Sequence, residues 1–440
     1  MTALVQERPL KDHFSGWLRR AQWLSIYILV LITANSYRRV VLTIQDVKPN
    51  VLAEWQGVVV YPPDFVLLAL LIFSLLRMGI DVNYAERLRQ TIYRLFHKNQ
   101  AWVWVLWVVW CGLGIIWAHQ PIITAFNALQ LALTLAMVFV LADLVQIEQT
   151  RSLLLVFALG AAVQGMVALL QTVHGGPIGL APLGEIDGYW TVPGGVYRGS
   201  GLTVNPNNLA GFLMIGIFVC IALVNFEKGG LRANWLPFVL GACMTAGLIA
   251  SMSRAAILGV AIGLIPLAVV TYKKTSSWLR LKWVVIEAVV IVAALIVLAV
   301  LLGFQNRLNF FFDREFYFEQ TNLVIARSPI LGVGAGNLAL EMYKDNPWAT
   351  RYILVVHNMY WMMWAEIGLP GAILCISGVL FILRGLWNLR NAWAYGWVCC
   401  FLAMSIAMLF DYYYWGDTRS RDLWFWVLGL YWAYNPLQAN

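Results

Sequence analysis

The sequence predicts an all-α integral membrane protein of roughly twelve transmembrane helices, with a large helical extramembrane loop between the ninth and the tenth. Three observations predict it. Of 440 residues, 61% are hydrophobic, only 12% are charged and 22 are tryptophan, a balance that belongs to a lipid-embedded chain rather than a soluble core. Apolar runs able to cross about 30 Å of hydrocarbon, at about 1.5 Å per helical residue, recur along the whole length. Finally, the basic residues behind the net charge of +8 gather in short connections between those runs. That distribution follows the positive-inside bias and argues against nucleic acid as a partner. Residues 1–440 therefore read as a single polytopic membrane domain. Six cysteines (Cys111, Cys220, Cys243, Cys375, Cys399 and Cys400) fall inside apolar runs without CxxC or Cys/His spacing, as small packing residues rather than disulfides or metal ligands.

The N-terminal stretch carries charges and no small-residue cleavage site, so it is expected to be a cytoplasmic lead-in. The first span covers about 23–44 and the second about 64–78, joined by an interfacial turn containing DVKPNVLAEWQGVVVYPP. The connection from Arg77 to Lys98 holds Arg77, Arg87, Arg89, Arg94 and Lys98, which sets it and the N-terminus inside. Spans three (about 101–118) and four (about 122–144) are joined by the outer turn HQP, and span five covers about 152–173. A Gly- and Pro-rich outer loop, 174–207, leads to spans six (about 209–224) and seven (about 236–251), whose inner turn carries Lys228 and Arg232. Span eight runs back to an inner cluster of Lys273, Lys274, Arg280 and Lys282, and span nine (about 283–302) exits into the large outer loop, 302–357. Span ten (about 358–383) delivers Arg384 and Arg390 inside, and spans eleven and twelve enclose the outer turn DYYYWGDTRSRD. Both termini are then cytoplasmic.

This topology places Arg198, Arg254, the large-loop arginines (Arg307, Arg314, Arg327 and Arg351) and His357 on the outer side, although they come from separate parts of the chain. Arginine beside hydrocarbon is usually retained for a partner. Alone, Arg198 serves equally well to bond loop carbonyls, Arg254 to snorkel, and His357 to pack at a helix start. Together they offer forked guanidinium groups for a phosphate or pyrophosphate and a neutral imidazole for a hydroxyl proton, which is the equipment for transfer from a phosphate leaving group to an acceptor alcohol. Tyr189, Trp190, Tyr197, Tyr343, Trp348, Tyr360 and Trp361 offer flat faces for sugar rings or sit as interfacial anchors. GVGAG at 332–336 reads as a sharply turning loop, since no strand–helix context makes it a nucleotide fingerprint. Asn205, Pro206, Asn207 and Asn208 read as the cap of span six, and Glu366 as a structural hydrogen-bonding carboxylate inside span ten.

The segments RGSGLTVNPNNLAG, SMSRAAILG, RSPILGVGAGN and HNMYWMMWAEIGLPG, in this order, resemble the O-antigen ligase and polymerase superfamily of integral membrane glycosyltransferases over roughly 198–371. The resemblance implies a metal-independent, cofactor-free enzyme of the bacterial inner membrane with its site facing the periplasm. The implied donor is a glycan on undecaprenyl pyrophosphate and the implied acceptor lipid A-core or a growing glycan, with the membrane lipids as surroundings. By motif, the resemblance implies Arg254 and Arg314 as pyrophosphate ligands, Arg198 as a further donor contact and His357 as the activator of the acceptor hydroxyl. Arg307 and Arg327 remain alternatives to Arg314. It also implies that the loop 302–357 forms part of the site.

Ligation onto lipid A-core, polymerisation of a lipid-linked glycan, protein O-glycosylation and transport of the lipid-linked glycan are separate readings of these residues. Protein glycosylation is disfavoured by a chain that stops shortly after span twelve. Transport is disfavoured by the lack of a repeat between halves or a ladder of charges through the spans.

Overall fold

The computed structural model describes residues 2–35, 37–44, 48, 51–52, 55–145, 147–186, 195–226, 235–274, 307–345, 355–384 and 392–434. Predicted span nine, the inner residues Lys228, Arg232, Arg280, Lys282 and Arg390, and Arg351, Tyr189, Trp190 and Trp348 lie outside the described residues, as does the side chain of Arg307.

Helix α1 (Thr2–Ile32) opens the chain. The expected first span to residue 44 is corrected here. The helix stops at Ile32, and Arg39–Thr43 (β1) pairs antiparallel with Gly57–Val60 (β2), Arg39 opposite Val60 and Thr43 opposite Gly57, with a bulge between Val40 and Leu42. Val40, Val41 and Thr43 are β-branched and favour a pleated strand, a preference that hydropathy alone does not register.

Helix α2 (Pro62–Ile80) begins with two prolines, and the Asp64 carboxylate accepts the Tyr61 N–H at 2.8 Å. The basic stretch expected to be a loop is also corrected, because it forms the amphipathic helix α3 (Val82–Lys98), N-capped by Asp81 on the Tyr84 N–H. Tyr84, Leu88, Thr91 and Leu95 make its buried stripe. Beside that stripe Arg87 donates from Nε and Nη2 to both carboxylate oxygens of Asp143, at 2.9 to 3.2 Å. Helix α4 (Ala101–Leu113) leaves α3 at 92°.

Helices α5 (Pro121–Leu144), α6 (Ile147–His174), α7 (Pro206–Phe226), α8 (Trp235–Ser251) and α9 (Arg254–Lys274) follow, close to the ranges read from the apolar runs. The large loop contributes α10 (Arg307–Arg327) and the short α11 (Leu338–Asp345). Then come α12 (Met359–Leu383), α13 (Ala392–Ala407), the single turn α14 (Tyr413–Gly416) and α15 (Thr418–Tyr434). Among the described residues, five helices are long and apolar enough to cross a membrane, six if the bent α3–α4 pair counts as one span. The chain is a helical membrane protein.

Helix α6 packs on α8, α7 on α8, and α9 on α13. Lipid tails are as apolar as leucine, so these contacts depend on close fit more than on expelled water. At the α6–α8 crossing a Cβ on Gly247 would stand 2.3 Å from the Gly165 Cα, so only glycine lets the two backbones approach this far. Helix α12 is not the straight span expected. Gly368, at φ +67°, interrupts it, and the GVGAG loop enters the break: Val333 N–H donates to the Ala365 carbonyl at 3.0 Å and Gly334 N–H to the Glu366 carbonyl at 2.8 Å. Backbone groups freed by the break are thus paired inside the protein, as the apolar surroundings require.

Candidate active site

The site is assembled from four separate segments. The first is the loop entering α7. Two glutamines on α6 fix it: Gln171 Oε1 accepts the N–H groups of Ser200 and Gly201 at 3.0 and 2.8 Å, and Gln164 Oε1 accepts that of Leu202 at 2.7 Å. A Cβ on Gly199 would lie 2.1 Å from the Ala168 carbonyl oxygen, which explains the glycine after Arg198. The Asn205 side chain accepts the N–H groups of Asn207 and Asn208, so the asparagine turn caps α7 as read from the sequence.

The second segment is the turn between α8 and α9. Met252 takes a left-handed conformation at φ +51°, Ser251 Oγ donates to the Leu248 carbonyl at 2.6 Å, and Arg254 becomes the first residue of α9, exposed. The third is α10, which carries Arg314. The fourth is the pair of chain turns before α12 and after α13. Here Met359 N–H donates to the carbonyls of Met408 and Asp411, tying His357 and Asp411 to the same place, and Asn358 caps α12 on the Trp361 N–H at 3.1 Å.

These segments bring Arg198, Arg254 and Arg314 within electrostatic reach of one another, and Arg198, Arg314 and His357 within reach of one another and of Asp411. Arg198 donates from Nε to the Ser251 carbonyl at 2.9 Å and from Nη2 to Asn207 Oδ1 at 2.6 Å, while Asn207 Nδ2 donates to Asp411 Oδ2 at 2.7 Å. Burial pulls the Arg198 guanidinium down to about 10, opposed by Asp411 and reinforced by the charges of Arg254 and Arg314. Arg314 is lowered by burial and by Arg254 and raised by Asp411. His357 is held below its ordinary 6.5, first by burial and then by Arg314 and Arg198, with Asp411 acting the other way. The imidazole is therefore neutral at pH 7. Its ring meets Tyr412 edge-on at 5.2 Å, and its Nδ1 is buried without a hydrogen-bond partner among the described residues.

Three mutually repelling cations and one buried carboxylate leave a net positive cluster suited to a multiply charged anion. Arg327, the alternative to Arg314, is engaged elsewhere. It lies thirteen residues further along α10, roughly 20 Å away, and pairs bidentately with Asp345 at 2.6 and 3.1 Å.

Sequence reasoning passed over Asp411 and Asn207 as site residues. Asp411 stands in an aromatic turn that reads as an interfacial anchor, and only its acidity opposite a row of outer-side arginines could have marked it. Glu366 does have a structural part. Its Oε2 accepts the Gly336 N–H at 2.9 Å and the Trp415 Nε1–H at 2.7 Å, which locks the GVGAG loop against α12. Gly336 is followed by Asn337, whose side chain accepts the Gln120 N–H at 2.8 Å and donates to Thr124 Oγ1 at 2.8 Å, docking the loop on α5.

Beyond Tyr412 lies a cavity that opens to the surface. Of the aromatic residues expected to meet sugars, those among the described residues (Tyr197, Tyr343, Tyr360 and Trp361) do not line it. Tyr360 donates its hydroxyl to the Ser405 carbonyl, Trp361 Nε1–H goes to Asn322 and Tyr197 is buried, whereas Trp55, Tyr61, Phe126, Tyr412 and Trp415 face the cavity. Among the described residues no group of three or more His, Cys, Asp or Glu is arranged to hold a metal ion.

Residues 239–376 match a family model described as O-Antigen ligase. Arg254, Arg314, His357, the GVGAG loop and Glu366 fall inside the matched segment, while Arg198, Asn207, Asp411 and the β1–β2 hairpin fall outside it. No curated protein matches the chain.

Proposed function

Through residues 239–376 the chain belongs to the O-antigen ligase and polymerase superfamily, and from that premise we propose that it is a ligase-type glycosyltransferase. The donor is a glycan on undecaprenyl pyrophosphate, the acceptor a sugar hydroxyl of lipid A-core, and the place the periplasmic face of a bacterial inner membrane. In this reading the chain spans the membrane about twelve times with both termini in the cytoplasm. Loops 174–207 and 302–357 are periplasmic, and the second carries Arg314 into the site.

The reaction needs three things from the protein. Arg198, Arg254 and Arg314 bind the pyrophosphate. The acceptor oxygen attacks the anomeric carbon as the bond from that carbon to the phosphate oxygen breaks, and the bonding pair leaves on the pyrophosphate. The guanidinium groups meet the extra negative charge, in a partly desolvated place where such contacts are strongest. The hydroxyl proton passes to His357, which burial keeps neutral and able to accept it. Asp411 holds Arg198 through Asn207 and stabilises the imidazolium that forms.

The observation that carries this reading is the gathering, from separate segments, of three mutually repelling arginines, two of which share one buried carboxylate with a neutral histidine. The experiment is reconstitution of the purified protein in nanodiscs with a glycan-loaded undecaprenyl pyrophosphate and lipid A-core, with products resolved by mass. Glycan on lipid A-core supports ligation, and lengthened lipid-linked glycan makes the chain a polymerase. Neither product, with donor crossing liposomes instead, would overturn the enzyme reading.

A further inference from the structure

Arg198 reaches the arginine cluster from a loop whose backbone is held, residue after residue, by the helices behind it. Gly199 N–H has two acceptors, the Ala250 carbonyl on α8 and Thr172 Oγ1 on α6, each at 3.1 Å. The N–H groups of Ser200, Gly201 and Leu202 end on Gln171 and Gln164. These backbone donors are therefore occupied, and the loop serves an anion through the Arg198 side chain. Where that guanidinium stands depends on how firmly residues 199–202 are held.

Gln171 is the centre of the arrangement. It is fully buried, and its carboxamide uses every position it has. Oε1 accepts from Ser200 and Gly201, while Nε2 donates to the Gly201 carbonyl at 3.0 Å and to Glu185 Oε1 at 2.7 Å. Turned end for end, the amide would point its NH2 at two loop N–H groups, donor against donor. Glu185 opposes that turn, because an ionised carboxylate only accepts and so holds the amide nitrogen on its own side.

The carboxylate is itself fixed. Ile178 N–H donates to Oε1 at 2.8 Å and Leu180 N–H to Oε2 at 2.5 Å. Burial would raise this group, but the donors of Gln171, Ile178, Leu180 and Gly179 outweigh burial and leave it below its ordinary 4.5, hence charged at neutral pH. Among the described residues Glu185 forms no ion pair. A buried carboxylate without a cation is unfavourable unless N–H donors surround it, so its place here is explained by the loop and the glutamine it holds. Glu185 and Gln171 both precede residue 239, where the family match begins.

We propose that Glu185 is a positioning residue for the pyrophosphate site, acting through Gln171 to fix the loop from which Arg198 reaches the donor. The proposal rests on the donor-binding role given to Arg198 and extends it to two residues behind the site.

Glu185→Gln tests it. The amide has one acceptor oxygen where the carboxylate has two, so either Leu180 or the pair Gln171 and Ile178 loses its partner. Gel filtration and thermal unfolding establish that the variant is folded; if it is not, Glu185→Asp, which draws the carboxylate back by one methylene, carries the test. Two quantities are read in nanodiscs: amide hydrogen exchange over residues 199–202 and binding of bare undecaprenyl pyrophosphate. The expected result is faster exchange in that segment, with α9 and α12 unchanged, and about tenfold weaker lipid binding, the lower end for one charge-assisted hydrogen bond. The same substitution in an Arg198→Ala background separates positioning from a general loosening of the fold. Action through Arg198 predicts no further loss of binding there, whereas a fold effect adds to the loss caused by Arg198→Ala. Wild-type binding by Glu185→Gln, or an equal loss in both backgrounds, would overturn the proposal. Should Arg198→Ala alone bind the lipid as the wild type does, the donor-binding role of Arg198 falls. Exchange over 199–202 then decides whether Glu185 holds the loop, faster exchange supporting that and unchanged exchange overturning it.

Discussion

Arg198→Lys tests whether the cluster works as a set of fixed charges. The arginine forks, one nitrogen to the Ser251 carbonyl at 2.9 Å and another to Asn207 at 2.6 Å, and keeps further N–H groups for an anion. A lysine has a single nitrogen and cannot hold both anchors while binding phosphate. Losing one charge-assisted hydrogen bond removes about 1.5–3 kcal/mol, so kcat/KM for transfer at pH 7 should fall about 10- to 150-fold. A second effect concerns pH. Burial brings Arg198 from 12.5 to about 10. The same penalty pulls a lysine below its ordinary ~10.4. The variant should therefore lose its charge at a lower pH than the wild-type arginine, which sits at about 10. Transfer in nanodiscs between pH 7 and pH 9 reads both effects. Wild-type kcat/KM at pH 7, or a variant profile parallel to the wild type up to pH 9, would refute the reasoning.

The other predictions follow from single contacts. His357→Ala should lower kcat by about 10²- to 10⁴-fold with donor affinity within about twofold; equal loss of donor binding in a lipid-binding assay makes His357 a phosphate ligand instead. Because His357 sits below its ordinary 6.5, activity is present above its pKa and lost as pH falls through it, so the acid limb of the rate profile lies below pH 6.5. Arg314→Gln removes a cation that presses that pKa down, and the limb should move up toward 6.5; an unmoved limb separates the two groups. Arg254→Ala, at an exposed helix start, should cut transfer at least about tenfold while leaving the melting temperature in place, and wild-type turnover removes it from the site. Gly368→Ala puts a methyl 1.9 Å from the Ile330 carbonyl at a φ of +67°, which should destabilise by about 2–4 kcal/mol in thermal unfolding. Gly79→Ala, where a Cβ meets nothing within 4 Å, is its neutral control.

Much of the fold was legible because apolar runs such as those of α5, α6 and α7 exceed the length a span needs and end at prolines, capping asparagines or charge. The first span was drawn too long, since hydropathy cannot tell the β-branched residues of β1 from a helix end. Helix α3 was hidden by its charge, although its buried stripe of Tyr84, Leu88, Thr91 and Leu95 has helical spacing. In the site, Arg198, Arg254, Arg314 and His357 stood out because a cation or imidazole near hydrocarbon needs a partner. Asp411 did not, because an aspartate in an aromatic outer turn resembles an ordinary surface carboxylate until the fold sets it among arginines. The motif order pointed to Arg314 and left Arg307 and Arg327 as alternatives, and the folded α10 adds that Arg327 is bound to Asp345. The cavity could not be read at all, as its walls come from segments whose nearness no local pattern encodes.

The most direct measurement is a structure of the protein with a non-hydrolysable donor analogue, undecaprenyl pyrophosphate joined to a sugar through carbon. The account predicts phosphate oxygens within about 3 Å of guanidinium nitrogens of Arg198, Arg254 and Arg314, with the anomeric carbon turned toward His357. A pyrophosphate seated away from these arginines, or an anomeric carbon on the far side of Tyr412 from the imidazole, would contradict it.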